Sequence, residues 1–234
     1  MGLGGADPSP PSARYDGFAR WYDEHLAAPF GAAGDETLKQ LLGAGTGRCL
    51  DLCCGTGTHL EALCALGWQV TGVDISLDQL RIAQQRAAGL QVELVQGDAA
   101  RLPFDDARFD AVVSMFSHTD VDDFSAVVRE AARVLRPEGV LVYVGLHPCF
   151  VGPHSVQRHQ AVPTLHAGYG KSGRYTEGPG ISPDGLWAKV TGVHLPLGRL
   201  MQAFLDAPLV LERFEEHGDD DYPRRVAIRA RRPG

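Results

Sequence analysis

A short loop that contains two glycines and an aspartate is the first feature of this sequence that predicts chemistry. It reads Asp51-Leu52-Cys53-Cys54-Gly55-Thr56-Gly57 and lies where a predicted apolar strand, residues 48–54, turns into a helix predicted to run through Leu66. Glycines in such a turn let the backbone approach a ligand, and the helix presents its N-terminal N–H groups to that ligand. Glycines also form simple turns, so the role of the loop has to be judged together with residues later in the chain.

Two further carboxylates follow the next two predicted strands. Asp74 ends the strand predicted at residues 69–73, where a carboxylate can accept hydrogen bonds from both hydroxyls of a ribose. Asp98, within Gly97-Asp98-Ala99, follows the strand predicted at residues 91–95, and its short side chain suits an adenine amino group. The loop and the two carboxylates therefore occur in the order expected of a site for an adenosine-containing ligand.

The details of the loop favour an amino-acid derivative of adenosine over a dinucleotide. A dinucleotide-binding loop has the spacing G-x-G-x-x-G with a small residue at the last position, and counted from Gly55 that position is Leu60. Asp51 would repel a pyrophosphate, whereas it suits an ammonium group. We therefore predict S-adenosylmethionine as the cofactor. A nicotinamide-dependent oxidoreductase is the disfavoured alternative.

The wider set of motifs resembles that of the class I S-adenosylmethionine-dependent methyltransferases, in particular the ubiquinone-biosynthesis-type (type 11) subset. The resemblance covers residues 45–146 and rests, besides the loop, on Val73-Asp74, Gly97-Asp98-Ala99, Leu102-Pro103-Phe104, Phe109-Asp110 and Val134-Leu135-Arg136-Pro137-Glu138-Gly139. One position departs from the family pattern, because the first glycine of the family's loop is Cys53 here. We expect the small cysteine to be tolerated.

The resemblance implies which residues surround S-adenosylmethionine. Asp51 would reach the ammonium group through water, and Asp74 would hold the ribose hydroxyls. The other implied contacts are Gly55 and Gly57 at the methionine, Ile75, Asp98 and Ala99 at the adenine, Met115 or Phe116 near the transferred methyl group, and Tyr15 or Tyr22 closing over the cofactor from the leading helix.

Histidines are the predicted catalytic bases. A hydroxyl acceptor needs a group that takes its proton near neutral pH, and histidine suits this task. His118 follows the predicted strand at residues 109–115, and His147 follows the one at 140–146. Both should therefore lie at the carboxyl edge of the sheet, where ligands bind in open α/β folds. A structural role is the alternative for each, and His194 is the next candidate.

The segment 147–195 has no clear period and contains five prolines and eight glycines. Such a long irregular stretch is often functional, so we expect a substrate lid in which Tyr169, Tyr175 and Trp187 shape an apolar acceptor pocket. We expect no metal, because the possible ligands match no standard zinc spacing. These are His147, Cys149, His154, His159 and His166.

These features must be positioned by a sheet. Strand and helix alternate five times up to residue 146, which predicts right-handed βαβ units and a parallel sheet. The expected fold class is α/β: a Rossmann-like, seven-stranded, mostly parallel sheet with helices on both faces and an antiparallel C-terminal hairpin. The expected segments are a disordered tail (1–13) and one methyltransferase domain (14–234), made of N-terminal cap helices (14–42), a cofactor-binding core (45–146), the lid (147–195) and a C-terminal helix and hairpin (196–234).

Composition narrows the partners and the compartment. The 234 residues carry a net charge of −7, and the one basic cluster, residues 224–232, alternates along a predicted strand, so we expect no nucleic-acid partner. The apolar runs are too short to span a bilayer, so we expect no membrane association. The five cysteines are odd in number and include an adjacent pair, which favours a reducing compartment, the cytoplasm.

The predicted function is methyl transfer from S-adenosylmethionine to a small molecule, with oxygen favoured over nitrogen and carbon as the acceptor atom. A non-catalytic S-adenosylmethionine-binding protein is a further alternative. The sequence identifies neither the acceptor nor the oligomeric state, since a fold and a cofactor site do not determine them.

Overall fold

The structure, a computed structural model, describes residues 13–156, 162–218 and 221–234. Its strands are β1 (Arg48–Leu52), β2 (Gln69–Asp74), β3 (Val92–Gln96), β4 (Phe109–Met115), β5 (Leu135–Leu146), β6 (Ser155–Val156), β7 (Thr164–Leu165), β8 (Gly173–Tyr175), β9 (Gly192–His194), β10 (Val210–His217) and β11 (Arg225–Arg231). Its α-helices are α1 (Ala19–Tyr22), α2 (Ala28–Leu42), α3 (Leu60–Ala65), α4 (Leu77–Arg86), α5 (Phe124–Val134), α6 (Leu186–Lys189) and α7 (Leu197–Leu205).

Seven strands form the main sheet, in the order β10-β11-β5-β4-β1-β2-β3. Strands β1 to β5 run parallel, and β11 pairs antiparallel with both β5 and β10. The chain builds one half of the sheet outward from β1 to β3 and then crosses to β4 on the other side of β1. The strand order thus reverses at β1, where open α/β sheets bind ligands. The predicted fold class is confirmed.

An apolar layer covers each face of the sheet. On one face, α5 presents Phe124, Val127 and Val128 to a cluster that includes Tyr143 of β5 and Phe204 of α7. On the other face, buried leucines of α2 and α3 pack against β1, β4 and β5. The central strands are buried on both faces, which explains their nearly continuous apolar sequence. Among the described helices, none is long and apolar enough to cross a membrane.

Strands β1 to β3 differ from their predicted bounds by one or two residues, and two differences are larger. The leading segment forms a continuous helical run in which a π-helical turn, Asp23–Ala27, joins α1 to α2, instead of two separate helices. Strand β5 begins at Leu135, before Pro137, because Leu135 already pairs with Phe109 of β4 ahead of a register shift. Ser76 caps α4, and its Oγ accepts the N–H of Gln79 at 3.2 Å.

The segment predicted as an irregular lid contains two small antiparallel hairpins, β6–β7 and β8–β9, and the short helix α6. These strands have two or three residues each, which is too short for periodicity to reveal them. Residues 157–161 of this segment, which include His159, lie outside the described residues, as do residues 1–12 of the predicted tail and residues 219–220 of an acidic loop between β10 and β11.

The turn after β1 bends through three residues with positive φ. Gly55 and Gly57 have φ of 55° and 76°, which glycine adopts without strain. Cys53, at the position where the family pattern has glycine, has φ of 61°. An L-residue in this left-handed region costs about 1–2 kcal/mol. The cysteine is therefore accommodated, as expected, but under backbone strain.

This strain predicts opposite tolerance for two substitutions of Cys53. Cys53→Gly should leave the free energy of unfolding nearly unchanged, because relief of strain offsets the greater freedom of the unfolded chain. Cys53→Val should lower it by about 1–3 kcal/mol, because a β-branched side chain is especially disfavoured at positive φ. Urea unfolding of both variants measures the difference, and equal stabilities would contradict the positive φ of Cys53.

Candidate functional site

Asp74, at the carboxyl end of β2, organises the turn after β1. Its Oδ2 accepts the N–H of Gly55 at 2.9 Å, and its Oδ1 accepts the N–H of Ser76 at 2.9 Å. Burial raises the pKa of Asp74, and the surrounding N–H groups partly offset that effect. Because an ionised carboxylate offers about four lone-pair positions, both oxygens keep acceptor capacity for a ligand.

The glycine loop is held from the opposite side by Arg86 at the end of α4. The Arg86 guanidinium donates to the carbonyl of Thr56 at 2.7 Å and to its hydroxyl at 2.9 Å, and it also binds Asp23 at 2.8 Å. A Cβ on Gly57 would come within 2.6 Å of Leu60 Cδ1 and 3.0 Å of Ala83 Cβ. Gly57 thus allows the loop to pack closely onto α3 and α4.

The N-terminal segment is tied to the same loops by polar contacts. The Ser76 hydroxyl donates to Asp16 at 2.6 Å, and the N–H of Gly17 donates to Asp78 at 2.8 Å. Tyr15 and Tyr22 pack edge to face with their ring centroids 5.3 Å apart. This arrangement places two aromatic rings of the leading segment over the carboxyl edge of the sheet.

An open cleft with an empty volume of about 1120 Å³, adjoining solvent included, lies between the N-terminal segment and the ends of β1, β2 and β4. Gly57, a predicted methionine contact, does not line this cleft, because it is used in packing the loop onto the helices. Asp98 is fixed in the wall because its Oδ1 accepts the N–H of Ala100 at 2.9 Å. Most of the predicted cofactor residues line the cleft together: Tyr15, Tyr22, Gly55, Asp74, Ile75, Asp98, Ala99, Met115 and Phe116.

Asp51 lies beneath the loop and is not part of the cleft wall. It is 1% exposed, and its Oδ2 has no hydrogen-bond partner among the described residues. Burial raises the pKa of this carboxyl to about 6, and nearby His59 opposes the rise. An unpartnered buried carboxylate oxygen costs stability. It therefore marks a position where a cationic group of a ligand, directly or through water, would be favourable.

His118 lies in the core and does not line the cleft. It is 3% exposed, and its Nδ1 lies within hydrogen-bond distance of the Tyr143 hydroxyl oxygen, at 2.6 Å. Burial lowers the pKa of His118 to about 3, with a contribution from His194. Gly145 makes room for this pair, because a Cβ there would come within 1.9 Å of the Tyr143 hydroxyl oxygen. The structural alternative describes His118 better than the predicted catalytic role.

His147 is also absent from the cleft wall. It is 1% exposed, its Nδ1 accepts the N–H of Cys149 at 3.1 Å, and its Nε2 lies 2.6 Å from Glu216 Oε1. Because Nδ1 accepts a hydrogen bond, Nε2 carries the ring hydrogen and donates a hydrogen bond to Glu216 Oε1. Both ring nitrogens are thus engaged in joining the end of β5 to β10. The position at a strand end was correctly predicted, but it does not place the imidazole in the cleft.

The lid residues predicted to shape an acceptor pocket are likewise outside the cleft wall. The Tyr169 hydroxyl forms hydrogen bonds with the Cys149 thiol and the Leu197 N–H, while Tyr175 packs edge to face on Trp187. His194 lies beside Tyr169 and points its Nε2 at the Tyr169 carbonyl, at 2.8 Å. In the described part of the chain, no group of three or more potential ligand side chains is placed to hold a metal ion.

Two functional candidates were missed in the sequence. Asp120 lines the cleft, where its Oδ1 accepts the Tyr15 hydroxyl at 2.9 Å. His59 lines a smaller pocket that shares Tyr22, Gly55 and Phe116 with the cleft, and its Nδ1 lies 2.8 Å from Asp35 Oδ1. Asp120 follows β4 by a few residues, and this position in the sequence indicated that it could lie near the cleft. The sequence analysis instead predicted His118, in the same loop, as the base.

Comparison with known proteins finds methyltransferases that match part of this chain. Residues 49–139 match a family model described as a methyltransferase domain. Demethylmenaquinone methyltransferase from Staphylococcus epidermidis is 43% identical over 99 residues, which is 41% of this chain and 41% of that protein. The Staphylococcus aureus enzyme of the same name is 41% identical over 99 residues, again 41% of each chain. The aligned part of this chain thus spans less than half the length of these curated relatives.

Solved structures share the fold over nearly the whole chain. An S-adenosylmethionine dependent methyltransferase from Mesorhizobium loti has a TM-score of 0.71 and 22% identity, and the match covers 93% of this chain and 99% of that one. The glycopeptide N-methyltransferase MtfA, solved with (S)-adenosyl-L-homocysteine, has a TM-score of 0.65 and 19% identity, with 87% and 90% covered. At such identities the similarity establishes the fold.

The buried state of Asp51 predicts a pH-dependent stability that one substitution removes. Because its pKa rises from 3.8 to about 6 on folding, the folded state holds a proton that the unfolded state loses first. Stability from this group therefore falls as pH rises from about 4 to about 6, by roughly 3 kcal/mol. Asp51→Asn should gain stability relative to the native protein over that pH range.

Urea unfolding at several pH values between about 4 and 7 tests this expectation, since the difference between the two proteins isolates Asp51 from every other titrating group. The advantage of Asp51→Asn should be largest at neutral pH and shrink toward acid. A difference that is constant with pH would show that Asp51 titrates normally.

Proposed function

We propose that this chain is a class I methyltransferase that binds S-adenosylmethionine in the cleft and transfers the methyl group to a small molecule; the matched domain and the fold support this proposal. The observation that carries the proposal is the set of carboxylates around the loop after β1. Asp74 keeps free acceptor capacity at the cleft, and Asp51 has a buried oxygen below it with no hydrogen-bond partner in the part of the chain that the structure describes. One suits a vicinal diol and the other a cationic group.

The residues present fit this cofactor part by part. Asp74 would hold the ribose hydroxyls, Asp51 would offset the charge of the ammonium group, and Gly55 would let the backbone approach the methionine. Ile75, Asp98 and Ala99 form one end of the cleft wall, which suits adenine, while Met115 and Phe116 form another part, which suits the transferred methyl group. Tyr15 and Tyr22 cover the cleft from the leading segment.

S-adenosylmethionine supplies a methyl group already activated on a sulfonium sulfur. The work left for the chain is to align the acceptor with that methyl group and to keep water away from both. The N-terminal segment is placed for this, because its contacts to Ser76 and Asp78 hold it across the open side of the cleft. The residues around the cofactor cleft therefore also hold the segment that covers it.

For the acceptor atom we favour a hydroxyl oxygen, with nitrogen and carbon as alternatives. The named substrate of the staphylococcal relatives, demethylmenaquinone, makes a quinone-type acceptor one candidate, although the aligned part is 41% of each chain. The predicted histidine bases gain no support from their positions, since His118 and His147 are buried away from the cleft wall. A base for a hydroxyl acceptor has to be sought within the cleft itself.

We also propose that the acceptor is not a nucleic acid and that the protein acts in the cytoplasm. The C-terminal arginines are used internally: Arg229 and Arg231 both bind Glu212, and Arg232 donates to the carbonyl of Arg133. They leave little free positive charge for phosphates. All five cysteines are unpaired thiols, which is typical of a reducing compartment.

Calorimetry tests cofactor binding directly. S-adenosylmethionine and S-adenosylhomocysteine should bind with micromolar affinity, about −8 kcal/mol. Asp74→Ala should weaken both at least ~10-fold, because charge-assisted hydrogen bonds to the ribose are lost. The same variant should melt at a lower temperature, because the N–H groups of Gly55 and Ser76 lose their acceptor.

The exposed Asp105 provides the matched control. Asp105→Ala should bind both ligands like the native protein and melt at the same temperature. The absence of binding heat for either ligand on folded native protein would overturn the proposal. Normal binding without methyl transfer to any acceptor in a broad panel would favour the non-catalytic alternative.

A further inference from the structure

Asp120, a carboxylate of the cleft wall, has no part in the proposed cofactor contacts. Asp120 lies in the loop between β4 and α5, on the cleft wall beside Phe116 and Ser117. Its Oδ1 accepts the Tyr15 hydroxyl at 2.9 Å, while the contact of its Oδ2 with the Thr119 hydroxyl is long, at 3.5 Å. One oxygen is thus anchored to the segment that covers the cleft, and the other retains acceptor capacity.

The surroundings of Asp120 bring the pKa of its carboxyl close to neutral pH. Burial raises its pKa to about 7, and Asp74 adds to the rise, whereas the Tyr15 hydroxyl and Arg14 oppose it. Arg14 is itself paired with Asp122. The other titratable groups that respond to the charge of Asp120 are Tyr22 of α1, Cys53 of the loop after β1, Tyr143 of β5 and Tyr175 of β8. The charged groups near Asp120 thus include the carboxylate of Asp74 and the ion pair that Arg14 forms with Asp122.

We propose that Asp120, positioned by Tyr15, is the catalytic residue that takes the proton from the methyl acceptor, and that the acceptor carries a hydroxyl on an apolar body. This inference rests on the proposed function. It assigns to Asp120 the role that the sequence predicted for a histidine. A carboxylate that changes charge near neutral pH meets the requirement for a general base.

The apolar character of the acceptor is inferred from the rest of the wall. The cleft that Asp120 lines is also lined by Met115, Phe116, Val121 and Val127, so an acceptor body that contacts these residues would be aromatic or aliphatic. A hydroxyl on such a body can donate to Asp120 as it binds. An anionic acceptor would instead meet the negative charge of both Asp120 and Asp74.

The proposed step conserves atoms and charge. The O–H bond of the acceptor breaks, and its proton passes to the carboxylate of Asp120. A bond forms between the acceptor oxygen and the methyl carbon while the carbon–sulfur bond breaks, and that electron pair stays on sulfur, which changes from a sulfonium to a neutral thioether. Asp120 then releases the proton to water, and no further reactant is required.

The titration of Asp120 is measurable without any acceptor. Carbon-13 NMR of aspartate-labelled protein saturated with S-adenosylhomocysteine should show a carboxylate with a pKa near neutral that is missing in Asp120→Asn. Burial also raises the pKa values of Asp51 and Asp74, so Asp51→Asn and Asp74→Asn identify the resonances of these two aspartates. In Tyr15→Phe the pKa of Asp120 should rise further, because the hydroxyl that stabilises the ionised form is gone. An Asp120 resonance that titrates near 4, the ordinary aspartate value, would overturn the proposal.

Transfer from radiolabelled S-adenosylmethionine provides the second arm, with catechol, 1-naphthol and 4-nitrophenol as hydroxyl probes and 2-phenylethylamine as the amine comparator. At least one hydroxyl probe should be methylated, and Asp120→Asn should lower kcat by about 10²–10⁴-fold. In Tyr15→Phe the acidic limb of the pH–rate profile should move to higher pH. A merely structural contact would change the melting temperature and leave that limb in place.

Asp105→Asn, at an exposed position outside the cleft, is the matched control and should keep native kcat and the native pH profile. Full activity of Asp120→Asn, or methylation of the amine alone, would overturn the inference, as would no transfer to any of the three hydroxyl probes. Calorimetry with S-adenosylhomocysteine separates the two levels. A lowered kcat of Asp120→Asn in protein that binds S-adenosylhomocysteine normally supports the inference. Failure of the native protein to bind this ligand refutes the proposed function instead.

Discussion

The hydrogen bonds from the backbone of Gly55 and Ser76 to the Asp74 carboxylate are the constraint on which the rest of the site depends. They join the turn after β1 to the turn after β2 at the point where the strand order of the sheet reverses. Ser76, fixed in this way, both caps α4 and binds Asp16 of the leading segment. One half-buried carboxylate therefore sets the floor of the cleft and, through Ser76, the placement of its cover.

This construction concentrates negative charge. Burial raises the pKa values of Asp51, Asp74 and Asp120, so each carboxylate makes the free protein less stable at neutral pH than an uncharged group of the same shape would. A ligand with an ammonium and a sulfonium group offsets this cost, while a pyrophosphate would add to it. The electrostatics that weaken the fold thus select a cationic adenosine derivative over a dinucleotide, the same distinction that Asp51 and Leu60 suggest in the sequence.

Sequence patterns predicted the features that depend on local chemistry. The alternation of strands and helices and the glycine turn were correct because short-range sterics and hydrogen bonding determine them. The histidines show the limit of such reasoning. His118 and His147 do follow strands as predicted, but side-chain direction depends on packing against Tyr143 and Glu216, which are distant in sequence. Asp120 depends in the same way on Tyr15, 105 residues away, so its importance is visible only in the folded chain.

The central claim is that the cleft built on Asp74 is an S-adenosylmethionine site, and a crystal structure with S-adenosylhomocysteine tests it most directly. The account predicts adenine beside Ile75 and Asp98, both ribose hydroxyls about 2.7–3.0 Å from the oxygens of Asp74, and the ammonium group directed toward Asp51. It would be contradicted by a ligand bound outside this cleft, or by ribose hydroxyls held by groups other than Asp74.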